Sequence, residues 1–166
     1  MIILFYQLTE ITLNRQSTCF IWFSDETEGF LAEEKNVLAF SSKKAAHAYA
    51  LSTNISLDNE ITAYNLDHWL YWATSASTTV DCKAILDIWN IFTDFSVSAG
   101  KLFTGDERRP DIDTIYDKLF FGNNILVDPQ ESQYIPQWRE DEIGSIKKIL
   151  SQGVKMYQEC LTNIKK

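Results

Sequence analysis

The chain has 166 residues, of which 45% are hydrophobic and 13% aromatic, and it contains few glycines and prolines. A chain of this size buries about 70% of the surface that its unfolded form exposes, so we expect one domain, residues 1–166, that needs neither a disulfide nor a metal to fold. Its net charge of −8 repels nucleic-acid phosphates and anionic membranes, which argues against binding to either of them.

The charge is distributed unevenly along the chain. Residues 147–166 carry five lysines against one glutamate, a local net charge of +4, so residues 1–146 carry −12. A field of that sign favours a cationic protein as the partner. Many proteins are acidic only because charge keeps them in solution, and the sequence leaves that alternative open.

The first forty residues predict β-strands, because apolar and β-branched side chains alternate there with polar ones. The predicted strands cover residues 2–13, 18–24, 30–32 and 37–40. A turn at 14–17 and another at 25–29 separate the first three. Such short connections join antiparallel neighbours, so we predict a meander. Residues 60–64 can add a further strand to the sheet.

Beyond residue 40 the apolar residues recur with the period of a helix. The helical segments contain residues 45–51, 69–72, 85–95, 112–120 and about 138–164. Ser41 or Ser42 can cap the first of them, and Thr78 with Asp81 resembles a capping box before the third, which ends near Gly100. A β block followed by an α block predicts an α+β fold, an N-terminal antiparallel β meander of about four or five strands packed against a C-terminal set of helices.

The cysteines predict a reducing compartment. Cys19, Cys82 and Cys160 are far apart and odd in number, so we interpret them as buried, reduced thiols rather than a disulfide framework. The apolar N-terminus lacks the basic region of a signal peptide, and no apolar run approaches the ~20 residues of a membrane span. We therefore expect a cytoplasmic protein.

Motifs for catalysis are missing from the sequence. There is no nucleophile elbow, phosphate-binding loop, dinucleotide fingerprint or zinc-type cysteine pair, so no catalytic residue, metal ligand or cofactor is predicted. His47 and His68 have no partner at metal-ligand spacing. Asp111 and Asp113 resemble the aspartate pair of phosphoryl-transfer enzymes, but they open a predicted helix, where acidic residues complement the helix dipole.

Acidic residues gather in four places. They are Asp25, Glu26, Glu28, Glu33 and Glu34; Asp58 and Glu60; Asp106, Glu107, Asp111, Asp113 and Asp117; and Glu140, Asp141 and Glu142. The last group suits the first turn of a helix. The first two lie in loops around the predicted sheet and can form one continuous negative face, which would speed association with a basic partner. Single solvated charges scattered on loops would give the same sequence, and that alternative also stays open.

The tryptophans differ in their surroundings. Four of the five sit in periodic apolar segments and are expected in the core, whereas Trp138 is flanked by Pro136, Gln137 and Arg139. An aromatic side chain ringed by polar groups is typical of an interface hot spot, so Trp138 is the best candidate for an exposed aromatic contact.

Three consecutive segments are similar to bacterial immunity proteins. They are residues 19–30, Cys-Phe-Ile-Trp-Phe-Ser-Asp-Glu-Thr-Glu-Gly-Phe, residues 37–40, Val-Leu-Ala-Phe, and the Ala- and Tyr-rich helix that follows. Immunity proteins are small cytoplasmic inhibitors of polymorphic toxins from contact-dependent growth inhibition and related systems. The resemblance extends through Trp69 and Trp72 to the helix containing Trp89. It implies a protein without enzymatic activity that binds the C-terminal domain of its cognate toxin, and such toxins are often nucleases with basic clefts.

Two acidic groups are the candidate contacts for such a toxin. Our first hypothesis places them at Asp25, Glu26, Glu28, Glu33 and Glu34, with Asp106, Glu107, Asp111 and Asp113 as a competing surface and Trp138 as a further contact. The alternatives are a small enzyme for a cationic or nucleotide-like substrate, which would need Asp111 and Asp113 or His68 in a cleft, and an acidic adaptor protein with no toxin partner.

Overall fold

The computed structural model describes residues 4–162 and has the α+β fold that the sequence predicts. The strands are β1 Phe5–Leu13, β2 Gln16–Ser24, β3 Glu28–Phe30, β4 Ala32–Glu33, β5 Asn36–Val37 and β6 Leu57–Asn65. The helices are α1 Lys43–Ser52, α2 Leu66–Thr74, α3 Cys82–Ala99, α4 Pro110–Gly122 and α5 Glu140–Thr162, with a short 3₁₀ turn at Thr104–Asp106.

The main sheet has the strand order β3-β2-β1-β6. Strands β1, β2 and β3 form the antiparallel meander, and β6 adds to the free edge of β1 in parallel. The predicted third strand, residues 30–32, is divided between the end of β3 and the start of β4, and the predicted fourth strand is shorter than expected, because β4 and β5 form a small hairpin of their own. Phe40 then returns to the main sheet by bridging Cys19.

The turn between β1 and β2 is held by a side chain from α2. Asn14 and Arg15 both have positive φ, 54° and 61°, which is the geometry of a two-residue turn that matches the twist of the strands. The Asp67 carboxylate accepts the backbone N–H groups of both residues, at 2.7 and 2.9 Å. The hairpin and the start of α2 are therefore fixed to each other.

The two faces of the sheet bury different amounts of apolar surface. On one face Phe20 lies in edge-to-face contact with Phe30, Phe95 and Tyr157, at the centre of a core shared with α2 to α5. On the other face a smaller cluster forms around Leu8, Cys19 and Ala46 of α1. The helical layer on the first face carries the site described below.

Helix α3 is the central helix of the larger layer. Asp81 is its N-cap, since the carboxylate accepts the Ala84 N–H at 3.1 Å, so the predicted capping box led by Thr78 is wrong by three residues. The helix ends at Gly100 in the left-handed conformation, φ 63°, as predicted. Its apolar stripe packs against α5, whose buried side chains include Ile146, Leu150 and Val154.

The three cysteines are buried free thiols, as predicted. Burial raises the pKa of each, which disfavours the reactive thiolate. Within residues 4–162, no helix has both the length and the apolar character needed to cross a bilayer.

Candidate functional site

A cleft of about 640 Å³ opens between α3 and α4 and is closed at one end by the 3₁₀ turn. Its carboxylates are Asp106, Glu107, Asp113 and Asp117. Tyr116 supplies aromatic surface, and Asn90 and Thr93 supply neutral polar groups, whereas the Trp89 ring is only 1% exposed and packs against Tyr116 and Phe103. Arg108 also lines the cleft, so four carboxylates face one guanidinium group and the cleft is acidic.

Asp106 is fixed to α3 by two hydroxyl groups. Thr93 Oγ1 donates to its carboxylate at 2.6 Å and Ser96 Oγ at 3.1 Å. The 3₁₀ turn that carries Asp106 is also held by α5, because Gln152 accepts the Thr104 N–H at 2.8 Å and donates to the Leu102 carbonyl at 3.1 Å. These bonds define the position of Asp106 at this end of the cleft.

Asp94 lies one helical turn from Asn90 and two turns from Asp87 on the polar side of α3 and is partly buried. Burial, together with repulsion from Glu28 and Asp106, raises its pKa from 3.8 to about 6, although a hydrogen bond from Trp22 Nε1 at 2.9 Å opposes the rise. Carboxylates from β3 and from the 3₁₀ turn thus act on one carboxylate of α3. The negative potential spans all three elements.

Two tyrosines respond to the same field. Burial raises the pKa of Tyr64 on β6 to about 12, and Asp87 and Asp94 add to the rise. The pKa of Tyr116 on α4 is also raised, first by burial and then by Asp94, Asp106 and Asp117, against a hydrogen bond that its hydroxyl donates to Asn90 Oδ1 at 2.8 Å. The negative potential therefore extends from the edge of the sheet to α4.

The cations near the cleft neutralise only part of this charge. Arg109 pairs with Glu107 and Asp111, each at 3.3 Å, and the largely exposed Arg108 lies 3.9 Å from Asp113. Within residues 4–162, no lysine or arginine forms an ion pair with Asp94, Asp106 or Asp117. These three carboxylates are therefore not neutralised by an ion pair with a described residue.

The structure divides the first predicted acidic group. Strand β3, which begins at the exposed Glu28, lies against α3, because Gly29 leaves room for Ser98, whose hydroxyl accepts the Phe30 N–H at 2.9 Å. Asp25 and Glu26 are exposed in the turn before β3. Glu33 and Glu34 instead lie on the β4–β5 hairpin, where Lys35 and Lys101 share a shallow recess with Glu34. Of this group, Glu28 is the residue that raises the pKa of Asp94 beside the cleft.

Asp58 and Glu60 lie on β6, at the opposite edge of the sheet from β3. The expected continuous negative face formed by these two residues with the Asp25 group is therefore wrong, since β1 and β2 separate them. Sequence reasoning had no means of ordering the strands across the sheet.

The competing acidic group largely lines the cleft. Asp106, Glu107 and Asp113 do so, whereas Asp111 is exposed in the first turn of α4 and pairs with Arg109. Asp87 and Asp94 were missed, although their spacing with Asn90 at i, i+3 and i+7 indicates one polar face opposite the apolar stripe of α3.

Trp138 is partly buried and packs against the core rather than standing exposed, so that expectation is wrong. Lys118 Nζ lies 4.6 Å from its ring centroid and covers it. His68 is exposed and its ring contacts Trp69, away from the cleft. Within the part of the chain that the structure describes, no group of three His, Cys, Asp or Glu residues is placed to hold a metal ion.

No protein-family model, no curated protein and no solved structure matches this chain.

Proposed function

We propose that the protein is an immunity protein, which binds the basic C-terminal domain of a cognate toxin and neutralises it by occlusion. The observation that carries the proposal is the acidic cleft between α3 and α4, where Asp106 and Asp117, like Asp94 beside the cleft, have no ion-pair partner within residues 4–162. The resemblance of residues 19–30 to immunity proteins supports it independently.

The chemistry of the cleft suits a guanidinium or ammonium group. Carboxylates such as Asp106 and Asp117 can accept charge-assisted hydrogen bonds, and the neighbouring ring of Tyr116 can contribute a cation–π contact. One lysine or arginine at the rim of a nuclease cleft can contact a carboxylate and the aromatic ring at the same time. The same field would accelerate capture, since complementary charge raises association rates by about two to three orders of magnitude at low salt.

Co-purification tests the proposal directly. The product of the gene immediately upstream, inactivated by substitution of its catalytic residues, is co-expressed with this chain and the complex is isolated. We expect a stable complex with a cationic domain, and loss of toxicity when the active toxin is used. Absence of a complex, together with unchanged toxicity, would contradict the proposal.

A matched pair of double variants then locates the contact. Glu107→Lys with Asp117→Lys reverses two exposed charges of the cleft, and Glu33→Lys with Glu34→Lys makes the same charge change on the β4–β5 hairpin. We expect the cleft variant to associate about tenfold more slowly at low salt and to lose most of its salt dependence. The hairpin variant should change the rate less than about threefold, because Lys35 and Lys101 already offset part of its charge. Equal effects of the two variants on the association rate would show that the cleft is not the toxin contact.

A further inference from the structure

A second feature on α4 is apolar. The end of α4 and the segment after it, residues 121–135 and hereafter the apolar loop, expose large hydrophobic side chains at high fractions. These are Phe121 at 55%, Ile125 at 72%, Leu126 at 76%, Tyr134 at 46% and Ile135 at 82%. Isolated exposed hydrophobic residues are ordinary on a protein surface, but such a concentration within one short segment marks an interaction site.

The apolar loop is not merely an unstructured connection. Asn124, in the left-handed conformation with φ 57°, accepts the Tyr134 N–H through Oδ1 at 2.7 Å and donates through Nδ2 to the Tyr134 carbonyl at 3.0 Å. Its amide thus brings together two points ten residues apart, as the ends of a compact Ω-like loop are. Further bonds from Ile125 N to Asn123 and from Gln130 N to Asp128 satisfy the backbone locally.

These bonds hold the loop in one shape while its side chains remain uncovered. Phe121, Val127 and Tyr134 line a groove together with Thr114, Asp117 and Lys118 of α4. A surface ordered before binding costs little conformational entropy when a partner arrives. The geometry is that of a preformed docking surface.

The charge around the groove indicates the charge of the partner that would bind there. Between residues 110 and 135 there are five carboxylates and one ammonium group, Lys118. Lys118 is already bonded to Glu142 at 2.8 Å and lies over the Trp138 ring, so it does not offset the carboxylates at the groove. A second copy of this chain, with its net charge of −8, would bring like charges together.

We infer that the apolar loop is the hydrophobic half of the surface whose charged half is the cleft, and that it docks a basic protein segment in which apolar side chains alternate with lysine or arginine. Asp117 lines both the cleft and the groove, so the two halves are continuous across α4. The inference rests on the proposed function for the identity of the partner, but its chemistry is tested without that partner.

The probe is a short peptide of alternating arginine and leucine, titrated into the isotope-labelled full chain and followed by amide chemical shifts. Two matched peptides, one of arginine and serine and one of glutamate and leucine, separate charge from apolar contact. We expect the arginine–leucine peptide to bind at least about tenfold more tightly than either control, because only it satisfies both halves. The shifts should concentrate in residues 117–135.

Variants complete the test. Ile125→Ser with Leu126→Ser should weaken binding of the arginine–leucine peptide about tenfold, since two exposed apolar contacts are lost. Leu51→Ser with Leu102→Ser is the control, because these side chains are 81% and 91% exposed but lie elsewhere, and it should change nothing. Absence of binding, equal binding of all three peptides, or an equal effect of the control variant would overturn the inference.

Two further outcomes separate this inference from its premise. If the chain is a dimer that the Ile125 and Leu126 substitutions dissociate, the loop docks a second copy and the inference is wrong. If the upstream gene product forms no complex while the arginine–leucine peptide still binds the loop, the toxin assignment fails and the docking chemistry stands.

Discussion

Two carboxylates that are shielded from bulk water have opposite surroundings, and their pKa values shift in opposite directions. Glu142, between α4 and α5, is 5% exposed and accepts Lys118 Nζ at 2.8 Å and the Arg139 N–H at 3.0 Å. Burial alone would raise the pKa of Glu142, but these bonds and the charges of Lys118 and Arg139 outweigh burial and lower it. Among the described residues, the Asp94 carboxylate beside the cleft has only an indole N–H as hydrogen-bond partner, and its pKa is raised.

The difference lies in what each neighbourhood supplies. The α4–α5 contact provides an ammonium group to its buried acid and is neutral, whereas the α3–α4 cleft provides further carboxylates. A surface that retains uncompensated charge at an energetic cost to folding is a candidate for binding, since a partner can supply the missing cation. The acidic residues that matter are therefore those without partners rather than those most dense in sequence.

Removing the ammonium group from the α4–α5 contact should have the largest effect on the free energy of unfolding. Lys118→Met leaves Glu142 charged and buried, so we expect the free energy of unfolding to fall by about 3 kcal/mol in urea denaturation at pH 7. Adding Glu142→Gln should recover much of that loss. Lys83→Met, which breaks the exposed pair with Asp87, serves as control and should leave the midpoint nearly unchanged. A loss no greater than that of the control would show that Glu142 does not depend on Lys118.

The packing of α3 offers a second contrast, since its apolar side is closed against α5 while its polar side opens to the cleft. A Cβ at Gly153 would overlap the Phe92 ring, whereas a Cβ at Gly144 would have no atom within 4 Å. Gly153→Ala should lower the free energy of unfolding by about 1 to 3 kcal/mol through overpacking. Gly144→Ala should raise it by about 0.5 to 1 kcal/mol, as helix propensity alone dictates. Thermal unfolding of the two variants gives the comparison, and a stabilised Gly153→Ala would mean that α3 and α5 are not in close contact.

The smallest expected effect on stability comes from neutralising Asp94 beside the cleft, and this effect depends on pH. Above pH 6 the wild-type protein folds with Asp94 charged and poorly solvated, so Asp94→Asn should be more stable by on the order of 1 kcal/mol at pH 8, after allowance for solvent screening. As the pH falls through 6, folding increasingly protonates Asp94, because its pKa is higher in the folded state than in the unfolded chain. The advantage of the variant should therefore shrink and vanish below about pH 4. A difference that stays constant from pH 8 to pH 4 would argue against a raised pKa.

Local patterns were sufficient for much of the fold. The apolar stripe of α3 and its stop at Gly100, the turn at Asn14 and Arg15, and the inward face of α5 all follow from spacing within a single element. The parallel pairing of β6 with β1 does not, because no local feature of residues 57–65 specifies a neighbour or a direction.

The site was harder to predict because it depends on which elements meet. Asp94 resembles any solvated helical aspartate in sequence, and it becomes distinctive only when Trp22 and Glu28 of the sheet approach it. Trp138 shows the reverse case. Its polar flanks in sequence predicted exposure, but Lys118 from α4 covers its ring.

The position of β1 between β2 and β6 has a consequence for synthesis. Strand β2 follows β1 after a two-residue turn, but β6 emerges only after α1, at about 5 to 20 residues per second. For roughly a few seconds the nascent hairpin presents the backbone of β1 unpaired along one side, a ready template for another ribosome-bound chain. Synthesis of residues 57–67 ends that interval, because β6 then pairs with the open edge of β1. Asp67 also fixes the β1–β2 turn through its two hydrogen bonds.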